Sequence, residues 1–131
     1  MVLSGRSEER LRGVNPALQS VVRRAAQLIE HLDPELQFVV TEGLRSPERQ
    51  QRLVEVGASR TMKSRHLTGH AVDLAAVVDG DVLWDWPLYH RLASVMKEAA
   101  QELGVQIVWG GDWESFKDGP HFELSRQIYS A

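Results

Sequence analysis

Between positions 71 and 78 the chain reads Ala-Val-Asp-Leu-Ala-Ala-Val-Val. A run this apolar and rich in valine reads as a strand, and the Asp79-Gly80 pair after it is a two-residue hairpin signal. Such a strand must bury at least one face, yet it carries Asp73 between Val72 and Leu74. A buried carboxylate is expensive unless it is ion-paired, hydrogen-bonded or bound to a metal. Period-two alternation puts Ala71, Asp73 and Ala75 on one face. The two alanines leave room for something to approach the acid. Asp73 therefore pairs with a cation such as Arg45, faces solvent on an open sheet, or belongs to a site.

The rest of the pattern alternates helices and short strands. Asn15-Pro16 is a cap-plus-proline helix start. Leu18, Val21, Val22, Ala25, Leu28, Ile29 and Leu32 follow at helical spacing until Asp33-Pro34. Leu36 to Thr41 is a short strand. Ser46-Pro47 opens a second helix that runs to about Gly57, and Ala58 to Gly69 has no period and reads as loop. Val82 to Trp84 is the return strand of the hairpin. Pro87 opens a third helix with Leu88, Leu92, Val95, Met96, Ala99 and Leu103 on one stripe, stopped by Gly104. Val105 to Trp109 and Pro120 to Leu124 read as extended. This order predicts a small α+β domain, an antiparallel sheet packed with about three helices. At 131 residues the chain is expected to form a single domain, 1–131, with no appended binding module.

Composition removes several function classes. There is no cysteine, so disulfides, thiolate metal sites and a cysteine nucleophile are excluded. Any metal must be held by His, Asp or Glu. The net charge of −3 argues against a nucleic-acid partner. No signal-peptide core or membrane-length apolar run is visible, so synthesis and retention in the cytoplasm are expected.

Two polar segments stand out. One is Ser64-Arg65-His66-Leu67-Thr68-Gly69-His70-Ala71-Val72-Asp73. The other runs from Trp109-Gly110-Gly111-Asp112-Trp113 to Asp118-Gly119-Pro120-His121-Phe122-Glu123. His66 lies seven positions before Asp73 across a glycine, and His121 comes from a distant segment. Two imidazoles and a carboxylate match a zinc ligand set with an open position for water. Taken singly, His66 is also an ordinary loop histidine and His121 an ordinary strand histidine. Asp118 is a candidate general base for the attacking water, aimed by Gly119-Pro120. Asp118-Gly119-Pro120 is equally a turn, and the two readings are compatible. Arg45 is a candidate for holding a substrate carboxylate or a developing oxyanion, the alternative being a salt bridge to Glu42. Arg45, Arg60, Lys63 and Arg65 suggest a basic rim, or for the last three a solvated loop. Trp84, Trp86, Trp109 and Trp113 read as core or site wall rather than as a sugar platform. Asp112 and Glu123 are candidates for hydrogen bonds near the site, while His31 and His90 stand apart.

The pattern Ser64-x-His66-x-x-Gly69-x-Ala71-x-Asp73-Leu74, with Asp118-x-x-His121-x-Glu123-Leu124 late in the chain, resembles the zinc D-alanyl-D-alanine-type metallopeptidases. Among these, the chain is similar to the single-domain L-alanyl-D-glutamate endopeptidases that tailed phages use as endolysins. The likeness extends over residues 7–125. It includes Asn15-Pro16-Ala17-Leu18-Gln19, the Gly43-Leu44-Arg45-Ser46 turn with Gln50 beyond it, and Gly110-Gly111-Asp112-Trp113. The resemblance implies one zinc ion on His66, Asp73 and His121, with Asp118 as acid/base. It implies Arg45 as the positioning or transition-state cation, and Gln50 and Ser64 as pocket residues. His70, close to these in sequence, alternates to the side opposite Asp73. The implied substrate is the peptidoglycan stem peptide, cut by a monomer without stable membrane association. An endolysin of this kind is made in the host cytoplasm and reaches the wall through a separate membrane pore. The alternatives are a D-alanyl-D-alanine carboxypeptidase or dipeptidase, and a zinc-stabilised non-catalytic binding module.

Overall fold

The computed structural model describes residues 1–130. Four helices, α1 (Gly5–Arg10), α2 (Pro16–Leu32), α3 (Pro47–Glu55) and α4 (Trp86–Leu103), accompany five strands, β1 (Gln37–Glu42), β2 (Ala71–Val78), β3 (Asp81–Leu83), β4 (Ile107–Trp109) and β5 (His121–Leu124). The expected α+β class with an antiparallel sheet is what forms. Asn15 and Ser46 each cap a helix with a side-chain oxygen, ahead of proline in the first turn.

The sheet runs β1-β2-β5-β4, with every pair antiparallel. Strand β2 is central. Its β1 edge is continuous, while its other edge is shared by β5, opposite residues 71–73, and β3, opposite residues 76–78. Alternation divides the strands into two faces. Val72, Leu74, Ala76, Phe122 and Leu124 point into the core formed with α2 and α4. Leu18, Val21, Val22 and Ile29 meet Leu92, Val95, Met96 and Ala99 there, all buried. Each of the larger side chains contributes about 1.5–3 kcal/mol on burial. The opposite face carries Asp73, His121 and Glu123.

The three helices expected from the sequence form as α2, α3 and α4, and α1 is an additional one. It has six residues and no apolar stripe, so periodicity does not reveal it. What holds it is polar. The Ser7 hydroxyl accepts from the Val40 N–H at 3.0 Å, and Arg10 donates to the Val40 carbonyl at 3.0 Å. The helix thereby satisfies the Val40 N–H and carbonyl on the outer edge of β1. The tryptophans also divide. Trp109 is buried in the core and Trp113 lies beside His121, but Trp84 and Trp86 are 60% and 42% exposed. Trp84 lies in the turn leading out of β3 and Trp86 at the start of α4, both at the surface.

Candidate metal centre

The register sets the site. Beyond an irregularity between Val40 and Glu42, Glu42 stands opposite Asp73, and Asp73 stands opposite His121. Three strands thus place two carboxylates and an imidazole in one row. His66 joins them from a 3-10 turn, Arg65–Thr68, just before β2. The Ser64 hydroxyl caps that turn by accepting from the His66 N–H at 3.2 Å. Gly69 ends it at φ +75, where a side chain would be strained and a Cβ would come within 2.5 Å of the Gly13 carbonyl oxygen. The loop read as formless from sequence therefore contains the turn that aims His66.

His66, Asp73 and His121 offer ligand atoms that all lie within 4.8 Å of one another. His66 Nε2 is 3.2 Å and His121 Nδ1 3.3 Å from the same Asp73 oxygen. The far nitrogen of each ring is engaged. His66 Nδ1 lies 2.9 Å from the Gly43 carbonyl, and His121 Nε2 lies 2.9 Å from Glu123 Oε1. A carbonyl can only accept, so His66 donates from Nδ1, which leaves Nε2, on the Asp73 side, as the atom that can ligate a metal. Glu123 selects the corresponding tautomer for His121 when that ring is neutral. Outward hydrogen bonds with inward lone pairs form the donor set that a divalent cation of the zinc type requires.

Charge is concentrated here. Burial pushes the Asp73 carboxyl up, but hydrogen bonds from His121 and His66 and their charge outweigh it and hold it well below the usual carboxylate range. Burial alone would lower His121, yet its two carboxylate neighbours, Asp73 and Glu123, push it up to about 9. Burial raises the Glu123 carboxyl as well, and the His121 hydrogen bond with the nearby Arg126 charge brings it below its ordinary value.

Asp118 lines the same cleft, of about 660 Å³, as these three side chains. Burial raises its carboxyl, and the Asp73 charge raises it further against the opposing pull of His121, His66 and Arg45. Its position depends on close packing that sequence reading missed. A Cβ on Gly110 would come within 2.4 Å of the Asp118 carbonyl oxygen and 3.1 Å of His121 Cβ. Trp109 Nε1 donates to the Gly119 carbonyl at 2.7 Å in the interior. The Gly-Gly pair marked a loop; only the fold shows what approaches it.

Of the two readings of Arg45, the ion pair with Glu42 is the one the structure contains. Arg45 forms a two-pronged pair with Glu42, at 2.7 and 2.6 Å, and donates to Gln50 Oε1 at 2.8 Å. Its Nη2 also lies 3.8 Å from Asp73 Oδ2. Gln50 is fully buried behind Arg45 and not on the cleft wall, with its amide nitrogen donating to Ser59 Oγ at 2.8 Å and to the Thr61 carbonyl. Ser64 lines the cleft, 3.5 Å from Arg45 Nη1. Of the suggested basic rim, Arg60 and Lys63 are exposed at the cleft, joined by Lys117. Arg65 is instead turned inward, donating to the Leu124 and Tyr129 carbonyls at 3.0 and 2.8 Å and anchoring the segment after β5. His70 is outside the cluster, 2.7 Å from the Thr68 hydroxyl. Asp112 pairs with Lys97 on the surface at 2.7 Å.

Known proteins place this geometry in context. The model of the phage L-alanyl-D-glutamate peptidase family matches residues 1–130. The L-alanyl-D-glutamate peptidase of Escherichia phage T5 is 32% identical over 127 residues, covering 94% of this chain and 88% of that one. The crystal structure of the Serratia marcescens L-Ala D-Glu endopeptidase ChiX superposes with a TM-score of 0.88 at 46% identity, covering 98% and 93% of the two chains. The D,D-pentapeptidase VanY of the VanB-type resistance cassette, solved with Zn(II), shares the fold at 15% identity and a TM-score of 0.58, covering 85% and 72%. This chain belongs to the phage L-alanyl-D-glutamate peptidase family.

Proposed function

We propose that this chain is a zinc-dependent peptidoglycan endopeptidase that hydrolyses the L-alanyl-D-glutamate bond of the stem peptide. The observation that carries the reading is the convergence of two imidazoles and a carboxylate on one point, with Asp118 in the same cleft. Family membership supplies the substrate class. His66, Asp73 and His121 would hold a single ion. When bound, zinc supplies Lewis acidity to the scissile carbonyl and to a water molecule.

The chain's own groups do the rest. Asp118 accepts a proton from the attacking water and returns it to the leaving nitrogen. A carboxylate whose affinity for protons is raised by burial suits both halves of that exchange. Glu42 balances the charge of Arg45 and Gln50 fixes its plane, so Arg45 presents an oriented donor beside Asp73 for the developing oxyanion. Ser64 holds the His66 turn at the cleft wall.

The enzyme acts as a monomer with no stable membrane association. No helix among the described residues is long and apolar enough to cross a membrane. It is made in the host bacterial cytoplasm and meets the wall after a separate pore opens. Mass spectrometry of digested, purified peptidoglycan tests the reaction. The expected product is a fragment with a new amino-terminal D-glutamate, and a chelator abolishes its appearance. Release of D-alanine alone would make the chain a carboxypeptidase, and intact peptidoglycan a binding module.

A further inference from the structure

Four carboxylates, from Glu42, Asp73, Asp118 and Glu123, line the cleft. An anionic substrate entering it must meet a cation not already committed to them. Arg45 is engaged by Glu42 and Gln50, Arg65 by two backbone carbonyls, and Arg126 lies 3.4 Å from Glu123. The side chains of Lys63, Lys117 and Arg60 have no ion-pair or hydrogen-bond partner among the described residues, but Arg60 is not loose. Its Cζ lies 3.7 Å from the centroid of the Phe116 ring. Phe116 is 65% exposed and sits at φ +53, a conformation that is unfavourable for a phenylalanine. An exposed ring on strained backbone does nothing for the core. Here it gives a guanidinium a flat surface, and face stacking leaves the N–H edge free for a planar anion. The backbone beside Arg60 is also fixed, because Gln50 holds both Ser59 and Thr61 while accepting from Arg45.

The substrate read above supplies a fitting anion. A glutamyl residue acylated on its nitrogen has two carboxyl groups, and only one can continue the chain. The other remains a free carboxylate a few bonds from the scissile nitrogen. We propose that Arg60, braced on Phe116, binds that free carboxylate and is the residue that selects glutamate on the leaving side of the bond. This assignment rests on the peptidase reading, and the test separates the two.

The test compares two soluble stem peptides that differ only in whether that carboxylate is free or amidated. The protein should prefer the free acid by about 10- to 100-fold in kcat/KM, the range of one charge-assisted hydrogen-bonded contact. Arg60→Gln should lose about that factor on the acid, mainly through KM, and stay within about threefold on the amide. Arg60→Lys should recover part of the loss, and Phe116→Ala should weaken the acid selectively by a smaller factor. Equal cleavage of acid and amide by the unaltered protein overturns the assignment and leaves the peptidase reading standing. So does an Arg60→Gln variant that slows both substrates equally or neither. Failure to cleave either peptide overturns the peptidase reading and the assignment with it.

Discussion

The two faces of one sheet are made by alternate residues of the same strands and obey different rules. On the helix side, Val72, Leu74, Ala76 and Phe122 contribute only packing. On the other, Glu42, Asp73 and His121 form a cross-strand row of ionisable groups, with Glu123 two residues along from His121. The first face makes the second possible. Holding charges near one another inside a protein is unfavourable without a partner, and the row persists because the core fixes the register beneath it. Substitutions on the packing face should therefore change stability and spare chemistry, while substitutions on the charged face should do the reverse.

The sharpest break in that contrast comes from the ligands. His66→Ala should leave no detectable hydrolysis and no stoichiometric zinc by elemental analysis, with the fold intact by circular dichroism. Asp118→Asn should keep the metal and lose about 100- to 10,000-fold in kcat, the range for removing a general acid/base. An active variant would remove that role from Asp118. On the packing face, Phe38 of β1 is buried opposite Ala76, and Phe38→Ala should cost about 3–5 kcal/mol in chemical denaturation, while the protein that remains folded binds zinc normally. Glu123→Gln should have the smallest effect, lowering zinc affinity by about 10- to 100-fold in a competition titration with a chelator. It acts only by orienting His121, 2.9 Å away.

The same contrast explains what could be read from the chain. Helices α2 and α4 and strand β2 announce themselves by period and capping, because local sequence decides them. A carboxylate amid Val72 and Leu74 was conspicuous for the opposite reason, since packing gives it no cause to be there. The sequence also pointed to the two histidines that the fold brings beside it. Other parts depend on contacts between distant segments. Helix α1 rests on Ser7 and Arg10 meeting Val40, more than 29 positions away. The strut from Glu42 through Arg45 and Gln50 to Thr61 needs the loop to close over α3. Gly110 reads as a turn residue until Asp118 and His121 pack against it. Arg65 looked like a surface cation because only the end of the chain supplies the carbonyls it binds.

X-ray absorption at the zinc edge, on protein loaded with one equivalent of metal, examines the centre most directly. The expected shell has two imidazole nitrogens and carboxylate or water oxygens at about 2.0–2.2 Å, and it is absent from His121→Ala, which should retain no stoichiometric zinc. The same shell in that variant, or unaltered protein that retains no zinc after dialysis, would contradict the centre.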